Sequence, residues 1–483
     1  MSKDILNLEP KAVWQHFYDF TQIPRPSKKE RKAAEHVLAF GKKLGLFAEQ
    51  DQVGNVLIRK PATKGMENRK GIILQGHLDM VPQKNSDKQH DFEKDPIDAY
   101  IDGDWVRARG TTLGADNGIG AAAAMAVLES TAIAHPQIEA LFTIDEETGM
   151  TGAFAIQPGW LTGDILINLD SEDEGELCVG CAGGLDGSFL FKYEEQAPAA
   201  GEALQVIISG LKGGHSGVDI ALGRANANKL VARIAKRLTD KLGVQLASLE
   251  GGNMRNAIPR EASMTFVTDK AAQVKAEVEV LTKEITEEYA LEDNAISIKL
   301  ESAQAPQKVM SAASQKNILN AIMACPNGVV RMSDTIPGLV ETSNNLAIVR
   351  VADGAASISC LMRSSVDSAK IYLSECMEAV FTLAGAQSAF TGGYPGWKPN
   401  PSSAILEVMS KLYERMFNQK PHVRAIHAGL ECGLLGGAYP SWDMISFGPT
   451  ILNPHSPDER VQISTVEKWW KYLVEILKNA PAK

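Results

Sequence analysis

The chain has 483 residues, 44% hydrophobic and 22% charged, which suits a soluble globular protein and excludes both a disordered chain and a membrane bundle. At roughly 150 residues per domain there is room for two or three domains and a large core. Lys and Arg number 49 against 59 Asp and Glu, a net charge of −10 and the wrong sign for coating nucleic acid or anionic lipid.

The first residues, MSKDILNLEPKAVW, lack the basic start and apolar stretch of a secretory signal. The longest small-apolar run, Gly118 to Leu128, is about half of the ~20 residues that a membrane span needs. A cytoplasmic protein is expected, with neither nucleic acid nor membrane as a partner. Six cysteines are too sparse for a disulfide framework. Cys178 and Cys181 form a lone C-x-x-C in what reads as a glycine-rich turn, so packing is their expected role.

In chain order, Trp14, Phe17, Tyr18 and Phe20 mark a first helix, and Ala34, Val37, Leu38 and Leu44 a second. Ile23-Pro24-Arg25-Pro26 separates them, and Ser27 with Glu30 reads as a capping box for the second. Val56–Arg59, Gly71–Leu74, Glu139–Ile144 and Asp164–Leu169 read as strands, with Gly118–Ser130 as a buried helix among them. This alternation predicts an α/β layer with a mixed, partly parallel sheet flanked by helices. Near residue 185 the text changes to alternating strands and amphipathic helices such as Ala225–Leu238. Gly251–Val267 is weakly echoed by Thr342–Met362, which predicts an α+β insertion with an internal duplication. A Gly-Pro-rich linker, Thr391–Pro401, leads back to α/β text: a helix near Ile405–Met416, a strand Met444–Phe447 and a closing helix Thr465–Leu477. The expected domains are 1–187 and 391–483 as one catalytic unit, with 188–390 inserted as a lid.

Five motifs carry the chemistry. Four lie at expected strand ends: Gly76-His77-Leu78-Asp79, Gly114-Ala115-Asp116-Asn117-Gly118, Asp145-Glu146-Glu147-Thr148-Gly149 and Asn168-Leu169-Asp170-Ser171-Glu172. The fifth is Asn453-Pro454-His455-Ser456-Pro457-Asp458-Glu459. Open α/β sheets place their sites just beyond strand C-termini. Imidazole and carboxylate ligands suit zinc, and a carboxylate spanning two metals ~3.5–4 Å apart makes a two-metal hydrolytic centre. Asp79 is spaced to accept the ring N–H of His77 and fix its tautomer. Of Glu146 and Glu147, one can ligate while the other stays free as a base.

Together these motifs resemble the co-catalytic zinc family of aminoacylases, carboxypeptidases and dipeptidases, over essentially the whole chain. The resemblance implies that His77 and Asp170 hold one metal, Glu147 and His455 the other, and that Asp116 bridges them. Glu146 is then the general base and Asp79 the orienting acid. In such relatives the peptide after the bridging Asp is often cis. In the insertion, His215 of Gly213-Gly214-His215-Ser216-Gly217 resembles the family's lid histidine, which stabilises the oxyanion. Arg363 resembles the arginine that clamps the substrate carboxylate. Asn345 and Asn256 are candidates for further substrate hydrogen bonds, and the internal echo leaves open which matches the family asparagine. Gly429 lines the cleft by the same resemblance.

The implied activity is a two-zinc dipeptidase preferring Xaa-His, β-alanyl-histidine included, in which Glu146 assists attack by a metal-bridging water. It is expected as a homodimer with two zinc ions per subunit, manganese or cobalt being possible substitutes. An N-acyl amino-acid deacylase or a tripeptidase shares every ligand, and a non-catalytic peptide binder or a structural metalloprotein is a reading from another class. His16, His36, His90, His135, His422 and His427 read as structural. Gly114–Gly120 lacks the Gly-Lys-Ser/Thr ending of a phosphate loop.

Overall fold

The apolar runs Ile72–His77, Ile138–Thr143 and Ile165–Asn168 form strands buried along their whole length. They pair in parallel, with Ile72–His77 in the middle. The computed structural model describes residues 3–483 and divides into two units.

The first unit holds the residues up to Gly180, Pro399–Ala425 and Leu430–Lys483. Its eight-stranded mixed sheet runs Phe47–Gln50, Val56–Lys60, Ile138–Thr143, Ile72–His77, Ile165–Asn168, Asp443–Ser446, Glu176–Cys181 and His422–Ile426. The helix Ala115–Glu129 is apolar almost all round, buried from Gly118 to Leu128, and packs against the central strand. Small residues permit this approach: a Cβ at Gly76 would lie 2.3 Å from Asn117 Oδ1, and one at Gly120 2.4 Å from the Leu169 carbonyl oxygen. Three of the parallel strands therefore end beside the start of one helix.

The second unit, Cys181–Lys398 with Ile426–Gly429, is built on a nine-stranded sheet. Two antiparallel strand pairs, Gln245–Gly251 with Ala262–Thr268 and Val340–Ala352 with Ala355–Ser364, are each followed by a helix, Ala271–Glu288 and Asp367–Leu383. Alternation along strands such as Glu202–Ser209 turns one face into a core where Phe189 stacks on Phe381 at 3.8 Å.

Three local expectations are corrected. The helix Arg31–Lys43 has no side-chain cap, because the Ser27 hydroxyl donates instead to Asp79 Oδ2 at 2.8 Å, a charged acceptor that outcompetes a local amide. Cys178 and Cys181 lie on the strand Glu176–Cys181 rather than in a turn, both buried. Thr391–Tyr394 is not linker: it completes the strand Gln387–Tyr394, whose Gly392-Gly393 absorbs a register shift, with Gly392 at φ 62°. No helix among the described residues is long and apolar enough to cross a membrane.

Candidate metal centre

His77 ends the central strand, Glu146 follows Ile138–Thr143, and Asp170 follows Ile165–Asn168. Asp116 sits in the non-helical opening of Ala115–Glu129, and its peptide bond to Asn117 is cis. His455 lies in the loop after Ile451–Leu452 with φ 59°, and Asp145, just before the Glu146-Glu147 pair, has φ 51°. Left-handed backbone at non-glycine residues costs about 1–3 kcal/mol each, and it concentrates here.

These side chains converge on Asp116. Its Oδ1 is 3.0 Å from His77 Nε2, and its Oδ2 is 3.1 Å from His455 Nε2. On the first side Asp170 Oδ1 is 3.5 Å from His77 Nε2; on the second, Glu147 Oε2 is 3.0 Å from His455 Nε2. The ligand atoms of His77, Asp116 and Asp170 lie within 4.8 Å of one another, as do those of Asp116, Glu147 and His455. His77, Glu146 and Glu147 form a third such group, which keeps Glu146 beside the pair.

The donors fit divalent cations. Glu147 Oε1 and Asp170 Oδ1 are buried with no hydrogen-bond partner, although buried polar atoms are nearly always satisfied. Each triad offers two carboxylates and one imidazole, a three-ligand set that leaves an open position.

Asp79 organises the site without joining either triad. It is fully buried, and its Oδ1 lies 3.3 Å from His77 Nδ1. It also accepts the Glu146 amide at Oδ1 (3.0 Å) and the Glu147 amide at Oδ2 (3.2 Å). A carboxylate beside Nδ1 favours the proton there in the neutral ring, and Nε2 faces Asp116 and Asp170. Burial alone would raise the Asp79 pKa, but His77 and these donors hold it down at about 2. Burial would also lower His77, yet Asp170, Asp116 and Asp79 push it well above its ordinary value. Glu146 moves up as well, by burial first and then by the charges of Asp170, Glu431 and Glu147.

The second unit has its own cluster. Arg363 donates from Nε to Ser216 Oγ at 3.3 Å and from Nη1 to the Tyr394 hydroxyl at 3.2 Å. His215 Nδ1 accepts the amides of Gly217 (3.2 Å) and Val218 (3.0 Å), which leaves the proton on Nε2. Burial and then Arg363 lower the His215 pKa, so the ring is neutral at pH 7. A Cβ on Gly429 would lie 2.9 Å from the Tyr394 hydroxyl oxygen. The two asparagines differ. Asn345 is fully buried and donates to the carbonyls of Arg255 (3.0 Å) and Ala257 (2.8 Å), whereas Asn256 is exposed and accepts the Ser216 amide at its backbone oxygen. His427 is buried against Ser343 Oγ at 2.7 Å, and burial, then Arg363, hold its pKa down at about 3.

Four residues escaped the sequence reading. Arg25, Glu431, Glu459 and Tyr394 make contacts with groups remote in the chain. Glu431 Oε2 accepts Gln75 Nε2 (2.6 Å) and Thr143 Oγ1 (2.7 Å), tying a helix to two of the parallel strands. The available signals were weak: Arg25 between two prolines, Glu459 at the end of the motif that carries His455, and Glu431 two positions beyond Gly429.

Residues 73–479 match the profile of peptidase family M20/M25/M40. The chain is 47% identical over 483 residues to the cytosol non-specific dipeptidase of Escherichia coli (strain K12), covering 99% of this chain and 100% of that one. A crystal structure of aminoacylhistidine dipeptidase from Vibrio alginolyticus superposes with a TM-score of 0.94 at 47% identity, over 99% of this chain and 98% of the other. Aminopeptidase PepT from Bacillus cereus shares the fold, with a TM-score of 0.57 at 16% identity over 98% of this chain and 99% of that one.

Proposed function

The chain belongs to peptidase family M20/M25/M40, and from that premise we propose that it is a cytosolic dipeptidase working with two divalent cations, zinc in the first instance. The observation that carries the reading is Asp116, whose two oxygens face two histidines, each with a further carboxylate beside it. His77, Asp116 and Asp170 would hold one cation, and Asp116, Glu147 and His455 the other. Such a pair, when bound, supplies Lewis-acid polarisation of a carbonyl and makes water more acidic.

The chain's own groups do the rest. Glu146 takes a proton from the attacking water and returns it to the amine nitrogen as the C–N bond breaks; its raised affinity for a proton suits both transfers. Asp79 keeps His77 in the ligating tautomer and anchors the Glu146-Glu147 turn. His215, with its proton on Nε2, donates to the oxyanion, and Arg363 binds the C-terminal carboxylate with its fork. Asn345, Asn256 and Gly429 shape the substrate's surroundings, and residues 188–390 serve as the lid. Preference for Xaa-His is supported by the name of the Vibrio alginolyticus relative, and a cytosolic location by that of the Escherichia coli one. A homodimer is the assembly that the family resemblance implies.

A panel of β-alanyl-histidine, α-dipeptides, a tripeptide and an N-acetyl amino acid, assayed before and after chelation and zinc return, tests the proposal. Dipeptide hydrolysis lost on chelation and restored by zinc is expected. Faster turnover of the tripeptide or the N-acetyl substrate would replace this reading with a tripeptidase or a deacylase.

A further inference from the structure

Three loops converge on Asp116: the one after His77, the opening of Ala115–Glu129, and the His455 loop. Chain entropy favours their separation unless something holds them. Gly114, at the helix N-cap, has no side chain with which to satisfy the first amides. A remote carboxylate does so instead. Glu459 Oε2 accepts the amides of Leu113 (2.7 Å) and Gly114 (2.9 Å), and Oε1 those of Ala115 (2.7 Å) and Asp116 (3.2 Å). Glu459 is 2% exposed and lies four positions beyond His455, so one side chain fixes the His455 loop to the segment carrying the shared carboxylate.

The opposite charge acts on the other side of that segment. Arg25, also 2% exposed, donates through Nη2 to the Gly114 carbonyl and through Nη1 to the carbonyls of Leu78 and Asp79, both at 2.9 Å. Its seat exists because two glycines leave room: a Cβ would lie 2.6 Å from Nη2 at Gly114 and 2.5 Å at Gly118. Gly114 is thus held by its N–H to Glu459 and by its C=O to Arg25.

We propose that Arg25 and Glu459 are positioning residues that bracket the Gly114–Asp116 segment and hold the three loops at the spacing a carboxylate-bridged cation pair requires. The inference rests on the two-cation reading above. Neither residue ligates; Glu459 acts through the amides of Leu113 to Asp116, and Arg25 through the carbonyls of Leu78, Asp79 and Gly114, beside His77 and Asp116 in the chain.

The test uses cation-free full-length protein titrated with Mn²⁺, followed by calorimetry and by the electron paramagnetic resonance spectrum, in which two bridged ions are magnetically coupled. Wild type should bind two Mn²⁺ with a coupled spectrum. In Glu459→Gln an NH₂ opposes two backbone N–H groups, and in Arg25→Lys one ammonium replaces the two-armed fork. Both should fold, bind at least one Mn²⁺ tenfold or more weakly, and give the spectrum of isolated ions. Melting curves of the cation-free proteins run alongside. Variants that melt earlier yet keep two tight, coupled ions would overturn the proposal, since a merely structural role moves only the melting point. If Glu459→Gln does not fold, Arg25→Lys decides by the same criteria. A wild type without a coupled pair would instead overturn the two-cation reading, and this proposal with it.

Discussion

Replacing Asp79 by asparagine tests how the site is held together, because the substitution keeps the shape and removes one acceptor oxygen. The amide can sit two ways. With NH₂ in place of Oδ1 it would oppose the Glu146 amide and the His77 Nδ1–H together. With NH₂ in place of Oδ2 it meets the Glu147 amide and the Ser27 hydroxyl, and the hydroxyl can rotate to accept. The second orientation strands one donor rather than two and is therefore favoured. A hydrogen bond to a charged group contributes about 1.5–3 kcal/mol, so losing the Glu147 anchor should depopulate the ligating arrangement by about 10- to 100-fold. That range agrees with the usual effect of removing a partner that orients a metal ligand. The deficit should be unequal, since the Glu147 and His455 side loses its anchor while His77 keeps its tautomer. Calorimetric titration of the cation-free variant with Zn²⁺ should show one site near wild-type affinity and one weakened 10- to 100-fold. Equal weakening of both sites, or none, would refute the reasoning.

Glu146→Gln should bind both cations as wild type does while kcat falls by about 10²–10⁴, the usual contribution of a general base; stopped-flow rates with metal analysis check both halves. Tyr394→Phe removes a hydroxyl from Arg363 and should raise KM for dipeptides several-fold, about 1 kcal/mol, with little change in kcat. His427 titrates near 6.5 when unfolded and at about 3 when folded, so its contribution to stability is complete above pH 6.5 and is lost as pH falls toward 3. Between pH 7 and pH 5 this costs about 2 kcal/mol, and urea melts of His427→Gln should show a slope with pH smaller by that amount.

The cluster around Asp116 was legible because continuous apolar runs announce buried parallel strands, and the polar residues that end them have nowhere to go but the sheet's C-terminal edge. The supporting residues were not legible, and the reason is physical. Glu459 and Arg25 bond to backbone atoms, which leave no mark in the sequence where they are contacted. Ser27 carried a strong local signal, yet a buried carboxylate far along the chain took its hydroxyl. Tyr394 lay among glycines and prolines that read as a linker, although the glycines only bend a strand that keeps pairing.

The charge of −10 acquires a specific meaning at the centre of the first unit. Asp116, with an imidazole at each oxygen, is held below the usual carboxylate range although burial works the other way. Acids around it with less imidazole are pushed up, chiefly by burial and then by one another: Asp170 and Glu431 to about 7, Glu172 to about 8. Two histidines thus leave the pocket short of positive charge. The shortfall is met either by protons or by cations, and the two compete for the same oxygens. Cation binding must therefore expel protons from Asp170 and its neighbours, so affinity rises with pH through the range where these groups titrate.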